Sequence, residues 1–164
     1  MKKSILTVAV IVGIGFTACT RQNKSELQTQ NPDTTTNKIT DDMNHLISIV
    51  EIPTADFPRA IAFYQAILDI TIEEAEMDGI KMGLFPNSGD GVFVQLINGS
   101  DYKPSSDGTV VYLNGGEDLQ KVADKIEANG GKMVVPKTAI GPDMGFFAIF
   151  TDTEGNRLGL QSQN

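Results

Sequence analysis

The chain is short of the residues from which most catalytic and metal chemistry starts. In 164 residues there is one cysteine, Cys19, and one histidine, His45. A disulfide, a thiolate zinc cluster and a Cys/His nucleophile pair are therefore excluded. A Ser-His-Asp arrangement would have to use His45, which opens a strand pattern with no elbow around a serine. Positive charge is scarce as well: 13 Lys and Arg stand against 21 Asp and Glu, the formal charge is -8 and the pI is near 4.5. No basic run occurs beyond Lys2 and Lys3, so a phosphate backbone would be repelled and nucleic acid is no partner. Long apolar runs are missing too. The longest, Ile5 to Phe16, has about twelve residues where a spanning helix needs about 20. What remains for chemistry is carboxylates, amides, hydroxyls or a borrowed metal.

Two lysines followed by a short apolar run form the layout of an export signal. The run closes in Phe16-Thr17-Ala18-Cys19, which resembles the lipobox of bacterial lipoproteins, where a cysteine after small residues is lipidated and becomes the N-terminus. The resemblance implies a signal peptide over 1–18, a lipid on Cys19 and an extracytoplasmic, membrane-anchored protein of the cell envelope. From Thr20 to Asp42 the chain is Thr, Asn, Gln, Asp and Lys without an aromatic residue, the composition of a disordered tether, so 19–43 is expected to carry no fold. About 24 flexible residues would reach roughly 27 Å as a random coil.

The remaining stretch, 44–164, with 40% hydrophobic content over the whole chain, suffices for one domain. A strand is expected over about Asn44 to Ile52. A helix follows, with Asp56 as its cap, Pro58 in its first turn, and Phe57, Ile61, Tyr64 and Leu68 on one apolar face. Strands near Ile70 to Met77 and Ile80 to Phe85 are joined by Asp78-Gly79, a hairpin signal. A fourth covers Gly91 to Ile97. After a polar link, Asn98 to Asp107, the order repeats: a strand over Thr109 to Leu113, a helix over Glu117 to Asn129 stopped by Gly130-Gly131, then strands at Lys132 to Val135, Met144 to Thr151 and Leu158 to Gln161. The fold class is α+β, with βαβββ played twice.

The segments EIPTADFPRAIAFYQAIL and IEANGGKMVVPKTAI...GFFAIFTDTEGNRLGL resemble the glyoxalase/bleomycin resistance/extradiol dioxygenase superfamily, the vicinal oxygen chelate proteins, and above all its lactoylglutathione-lyase-related members. The resemblance spans about Asn44 to Gln163. It implies paired modules whose curved sheets form a glyoxalase-like cleft. In metal-dependent members the first and fourth strands of each module supply His, Gln or Glu ligands to a divalent ion that acts as a Lewis acid. Carried over residue by residue, those positions fall on Ile49 or Ser48, on Gln95, on Thr109 and on Gly159. Gln95 alone among them is a donor, which is no metal set.

Alternation along the strands adds further candidates. His45 shares the parity of Ile49 but stands about 13 Å up the strand. Glu51 also shares it, either as a strand-end carboxylate bonded to backbone amides or as a half-buried acid/base group with catalytic potential. The ligand-binding face is expected to hold Phe93, Gln95, Val111 and Gln161, with Gly159, Phe147 and Met82. Glu73, Glu74 and Glu76 read as a solvated strand face. Three functions are compatible with this pattern: a small-molecule-binding domain that needs no cofactor; a divalent-metal lyase or isomerase using Glu51, Gln95 and His45; and an envelope interaction module, with homodimer formation in view.

Overall fold

The chain is described from a computed structural model covering residues 46–89 and 91–164. The apolar run, Cys19, the polar stretch after it and His45 lie outside the described residues. Among the described residues no helix is long and apolar enough to cross a membrane.

Asp56 starts the first helix as expected, its carboxylate accepting the amide of Arg59 at 3.1 Å, with Pro58 just inside. The helix, α1, runs Phe57–Leu68 and ends at Asp69, which takes the left-handed conformation that a helix C-terminus favours. Before it lies β1 (Ile49–Pro53); after it come β2 (Glu73–Met77), β3 (Ile80–Leu84) and β4 (Phe93–Asn98). Asp78 and Gly79 both have positive φ, which gives β2 and β3 the two-residue turn that the sequence announces. The second half repeats the plan with β5 (Tyr112–Asn114), α2 (Gln120–Ile126), a 3-10 turn (Glu127–Asn129), β6 (Lys132–Ala139), β7 (Phe146–Thr151) and β8 (Arg157–Ser162).

Two four-stranded sheets result, ordered β1-β4-β3-β2 and β5-β8-β7-β6. In each, the first strand pairs in parallel with the last and the other pairs are antiparallel. The glutamates of β2 are all exposed on an edge strand, where charge discourages pairing with another chain. β6 continues four residues past the expected Val135 because it too is an edge strand. Its register shifts between Met133 and Thr138, and that irregularity accommodates Pro136, which has no amide to offer a ladder.

One face of α1 was expected to be apolar; two are buried. Phe57, Ile61 and Tyr64 are covered as expected, and Ala60, Phe63 and Ile67 are covered as well. Phe63 reaches the other half, its ring 6.3 Å from that of Phe150 on β7. Phe63, Tyr64, Ile67, Leu96, Leu119, Ile126, Phe150 and Leu160 are buried in one core that joins both halves, and the described residues form one compact unit.

The β7–β8 turn ties the halves together. Asp152 is buried and accepts four hydrogen bonds: from the Tyr64 hydroxyl at 2.7 Å, from Asn156 Nδ2 at 2.9 Å, and from the amides of Glu154 and Asn156 at 2.9 and 2.8 Å. Asn156 Nδ2 also donates to the Pro53 carbonyl at 2.8 Å. Glu154 accepts the amides of Ala55 and Asp56 at 2.9 and 2.8 Å and receives Arg59 Nε at 2.8 Å. The second module thus caps the first module's helix. The D-x₇-Y and D-x-x-GN signatures of the sequence are structural staples, which explains why they mark the fold and say little about a substrate.

Candidate functional site

In each half-sheet one face packs on the helices and the other is turned away from them. On the helix side stand Val50, Ile52, Val94 and Leu96 in the first half, and Leu113, Ala148, Phe150, Leu158 and Leu160 in the second. Register then fixes the other side. Glu51 lies opposite Gln95, which lies opposite Leu84, and Ile49 lies opposite Phe93. In the second half Tyr112, Gly159 and Ile149 form one row, and Asn114, Gln161 and Phe147 the next.

Four of the residues read from the sequence as cleft residues, Phe93, Gln95, Phe147 and Gln161, have this parity, as do Met82 and Gly159. Val111 does not. It packs against the helix-side core, and Tyr112 takes its place on the open face. The cause is a strand start three residues later than expected, and because side chains alternate, such a shift moves a residue to the opposite face. Thr109 precedes β5, so the position across from Gly159 belongs to Tyr112. On β1 the residue across from Gln95 is Glu51, two positions past Ile49, to which the family's ligand position was carried over.

Glu51 is exposed, where partial burial was expected, and its Oε1 accepts a hydrogen bond from Gln95 Nε2 at 2.9 Å. Its partner is a side-chain amide; the backbone amides named in the sequence reading are not involved. The other half offers a different arrangement. A Cβ built on Gly159 would stand 2.3, 2.5 and 2.7 Å from three atoms of the Tyr112 ring, so the ring occupies the space of any side chain at 159. Glycine inside a strand weakens it and marks a place where another group comes very close. That group is a tyrosine ring left 48% exposed.

The open faces carry two hollows. The first, about 530 Å³, is lined by Glu73, Leu84, Pro86, Asn87, Phe93 and Gln95. The second, about 380 Å³, is lined by Tyr112, Ile140, Phe147 and Gln161. Both have apolar walls with a few amides, the ordinary make-up of a small-molecule site. A third, smaller groove runs along the seam between β1 and β8 and takes in Glu51 and Val111. The expected site residues are therefore distributed over three hollows, with the Gln95 to Glu51 hydrogen bond linking the first to the seam.

The family's ion would need donors from both halves. The first half supplies two oxygens, on Glu51 and Gln95. The second supplies a tyrosine ring over a glycine. Among the described residues no three of His, Cys, Asp and Glu come together as a metal set. The described residues do not fit the family's ion.

Residues 43–160 match the family described as Glyoxalase/Bleomycin resistance protein/Dioxygenase superfamily. A glyoxylase-like domain-containing protein of Didymella fabae is 32% identical over 120 residues, which is 67% of this chain and 88% of that one. The chain belongs to this superfamily. Solved structures of superfamily folds superpose on it: FosX, the genomically encoded fosfomycin resistance protein of Listeria monocytogenes, with a TM-score of 0.56 at 17% identity, covers 74% of this chain and 95% of its own. A glyoxalase I variant from Zea mays superposes with a TM-score of 0.54 at 15% identity over 71% of this chain. The chain spans 45% of the Zea mays protein, less than half its length. A FosX variant was solved with Mn(II) and 1S,2S-dihydroxypropylphosphonic acid. At such identities these structures speak for the fold of this superfamily member and for nothing finer.

Tyr112 is an open-face residue that alternation along the sequence does not give, as are Leu84, Ile149 and Asn114. A signal was present, since an aromatic residue one position from the assumed inward valine would exchange faces with it under a one-residue shift. Lys103 and Arg157, which line the seam, were also passed over. They belong to a polar link and to a turn, where alternation gives no guidance.

Proposed function

We propose that this superfamily member binds a small molecule against the open faces of its paired half-sheets without the family's metal ion, and does so at the cell envelope, held by a lipid on Cys19. The observation that carries the metal-free reading is Tyr112 over Gly159. A ligating side chain at 159 has no room, and the ring offers an apolar wall beside Phe147 and Gln161. In the hollow of the first half Gln95 would orient a neutral ligand by hydrogen bonding beside Phe93, and in that of the second half Gln161 would do so beside Phe147. Glu51 is the group able to exchange a proton, and it makes the site competent for a lyase or isomerase step if the ligand is a substrate.

The test is a thermal-shift screen of the full-length protein against small metabolites, combined with metal analysis of the same preparation. A melting point raised by a metabolite, with the rise lost in Tyr112→Ala, supports the reading. Near-stoichiometric Zn, Ni, Mn or Fe that falls in Gln95→Ala and Glu51→Ala would replace it with a divalent-metal lyase. A self-associating protein with neither response would make the open faces an interface between two copies, since Ile49, Leu84 and Phe93 are exposed apolar residues there. For the anchor, Cys19→Ser is expected to move the protein from the membrane to the soluble fraction. Retention in the membrane would refute lipidation.

A further inference from the structure

The ring of Tyr112 lies flat on the sheet. The three ring atoms that a Cβ on Gly159 would meet, Cγ, Cδ1 and Cε1, are consecutive, and they stand 2.7, 2.3 and 2.5 Å from it. A point beside a ring, in its plane, is near one atom and much farther from that atom's two neighbours. Near-equal distances to all three mean that the ring turns its face to the glycine. Tyr112 and Gly159 are direct partners in the parallel β5–β8 ladder, so the missing side chain leaves bare backbone for the ring to cover. Covering a strand glycine with an aromatic ring steadies the pairing, and it takes up one face only. The other face is turned away from the sheet, and the residue is still 48% exposed.

The walls round that second face come from three further segments. Gln161 stands two residues past Gly159 on β8, on the same side; Phe147 is its partner on β7; and Ile140 follows directly on β6. With Tyr112 they line the hollow of about 380 Å³, and the lining contains no Asp, Glu, Lys or Arg. Its one amide is Gln161, whose Nε2 donates to the Ser162 carbonyl at 3.3 Å. What Gln161 has left for a ligand is its carbonyl oxygen, an acceptor.

We infer that the second-half hollow takes a neutral, planar compound of one or two fused aromatic rings, stacked on the outer face of Tyr112 and donating a hydrogen bond to Gln161. The inference rests on the open-face reading and names the ligand class for one of its hollows. Aromatic rings favour offset stacking, and a ring backed by the sheet is a platform already ordered before the ligand arrives. An ion would lose its hydration among Tyr112, Ile140 and Phe147 with no opposite charge in the lining to replace it. The volume lies near the small end of the range of roughly 300–1,000 Å³ for small-molecule sites, which limits the ligand to about two rings. Gly159 is then a positioning residue: it never touches the ligand, and it sets the tilt of the ring that does.

The experiment is calorimetric titration of the full-length protein with three probes: 2-naphthol; decahydro-2-naphthol, which keeps the skeleton and the hydroxyl but has no flat face; and 2-naphthoate, which is planar and charged. 2-Naphthol is expected to bind at least about fivefold more tightly than either of the others. Tyr112→Phe is expected to keep that affinity and Tyr112→Leu to weaken it about tenfold, with the melting point of each variant confirming that it is folded. Gly159→Ala, which pushes the ring off the sheet, is expected to weaken 2-naphthol about threefold or more. Equal binding of 2-naphthol and its saturated analogue, no binding of 2-naphthol, or full affinity in Tyr112→Leu or Gly159→Ala would each overturn the stacking platform. If a metabolite still raises the melting point and the rise is lost in Tyr112→Ala, only the ligand class falls and open-face binding stands. If no metabolite does so and 2-naphthol does not bind, both fall.

Discussion

The hydroxyl of Tyr64, in the first helix, donates to Asp152, in the last turn, at 2.7 Å, and both residues are buried. Burial, then the neighbouring carboxylate charge and the hydrogen bond to it, push the Tyr64 phenol well above its ordinary pKa. The proton therefore stays on the tyrosine throughout the working range, and the bond is a donor serving a carboxylate. Tyr64→Phe keeps the ring, which packs edge-on against Phe63 at 5.1 Å, and removes that donor. Urea unfolding is expected to show a loss of about 1.5–3 kcal/mol, the value of a hydrogen bond to a buried charge, with an unchanged slope. A loss under 0.5 kcal/mol would mean that the three remaining donors suffice.

Glu154 ties stability to acid. Burial would raise its pKa, but the Arg59 guanidinium and the amides of Asp56 and Ala55 outweigh burial and hold it below the usual glutamate value. A depressed folded-state pKa adds stability that is complete above the unfolded value of about 4.3 and is lost as pH falls through the folded value. Melting points measured from pH 7 to pH 3 are expected to fall more steeply for the native chain than for Glu154→Gln below about pH 4.3. Parallel curves would remove Glu154 from the acid response.

Gly159→Ala tests the close approach of Tyr112. The added methyl group has no place to go unless the ring moves, and overpacking of this kind costs about 1–3 kcal/mol. Tyr112→Ala combined with Gly159→Ala is expected to be more stable than the sum of the two single changes, by at least about 0.5 kcal/mol in a double-mutant cycle. Strict additivity would show that the ring does not rest on the glycine.

Phe63→Ala removes the ring that reaches from α1 to Phe150 and across the junction of the halves. Its cost is expected at about 3–5 kcal/mol, in a single transition seen alike by near-UV and far-UV circular dichroism. Two separate transitions would show halves that unfold independently.

Much of this architecture could be read from periodicity and turn chemistry. Asp56, Pro58 and the Asp78-Gly79 turn act locally, and each does in the fold what its chemistry implies. The failures are nonlocal. The strand expected over Lys132 to Val135 runs on through Pro136 to Ala139, because nothing in the neighbouring residues reveals that it is an edge. Phe63 was left off the buried face of α1, because what covers it comes from the other half of the chain. Val111 and Tyr112 exchanged faces through a small error in where β5 begins, and alternation converts any odd error into a reversal. Glu51 and Gln95 were both named, but their partnership is a matter of parallel register, which a strand that meets its neighbour forty residues later does not disclose. The groove along the seam is built by residues from a link and a turn, for which sequence periodicity has no vocabulary.

Since Glu154 closes the amino end of a helix made about a hundred residues earlier and Asp152 holds the Tyr64 hydroxyl two turns along it, the two halves cannot be treated as interchangeable cassettes. A chain that stops before residue 152 leaves the amides of Ala55 and Asp56 and the phenol of Tyr64 without these acceptors, so the early half is completed only by residues of the later one. Recombination that exchanged one half for a relative's would have to carry the closing turn with the opening helix, two segments that lie in different halves.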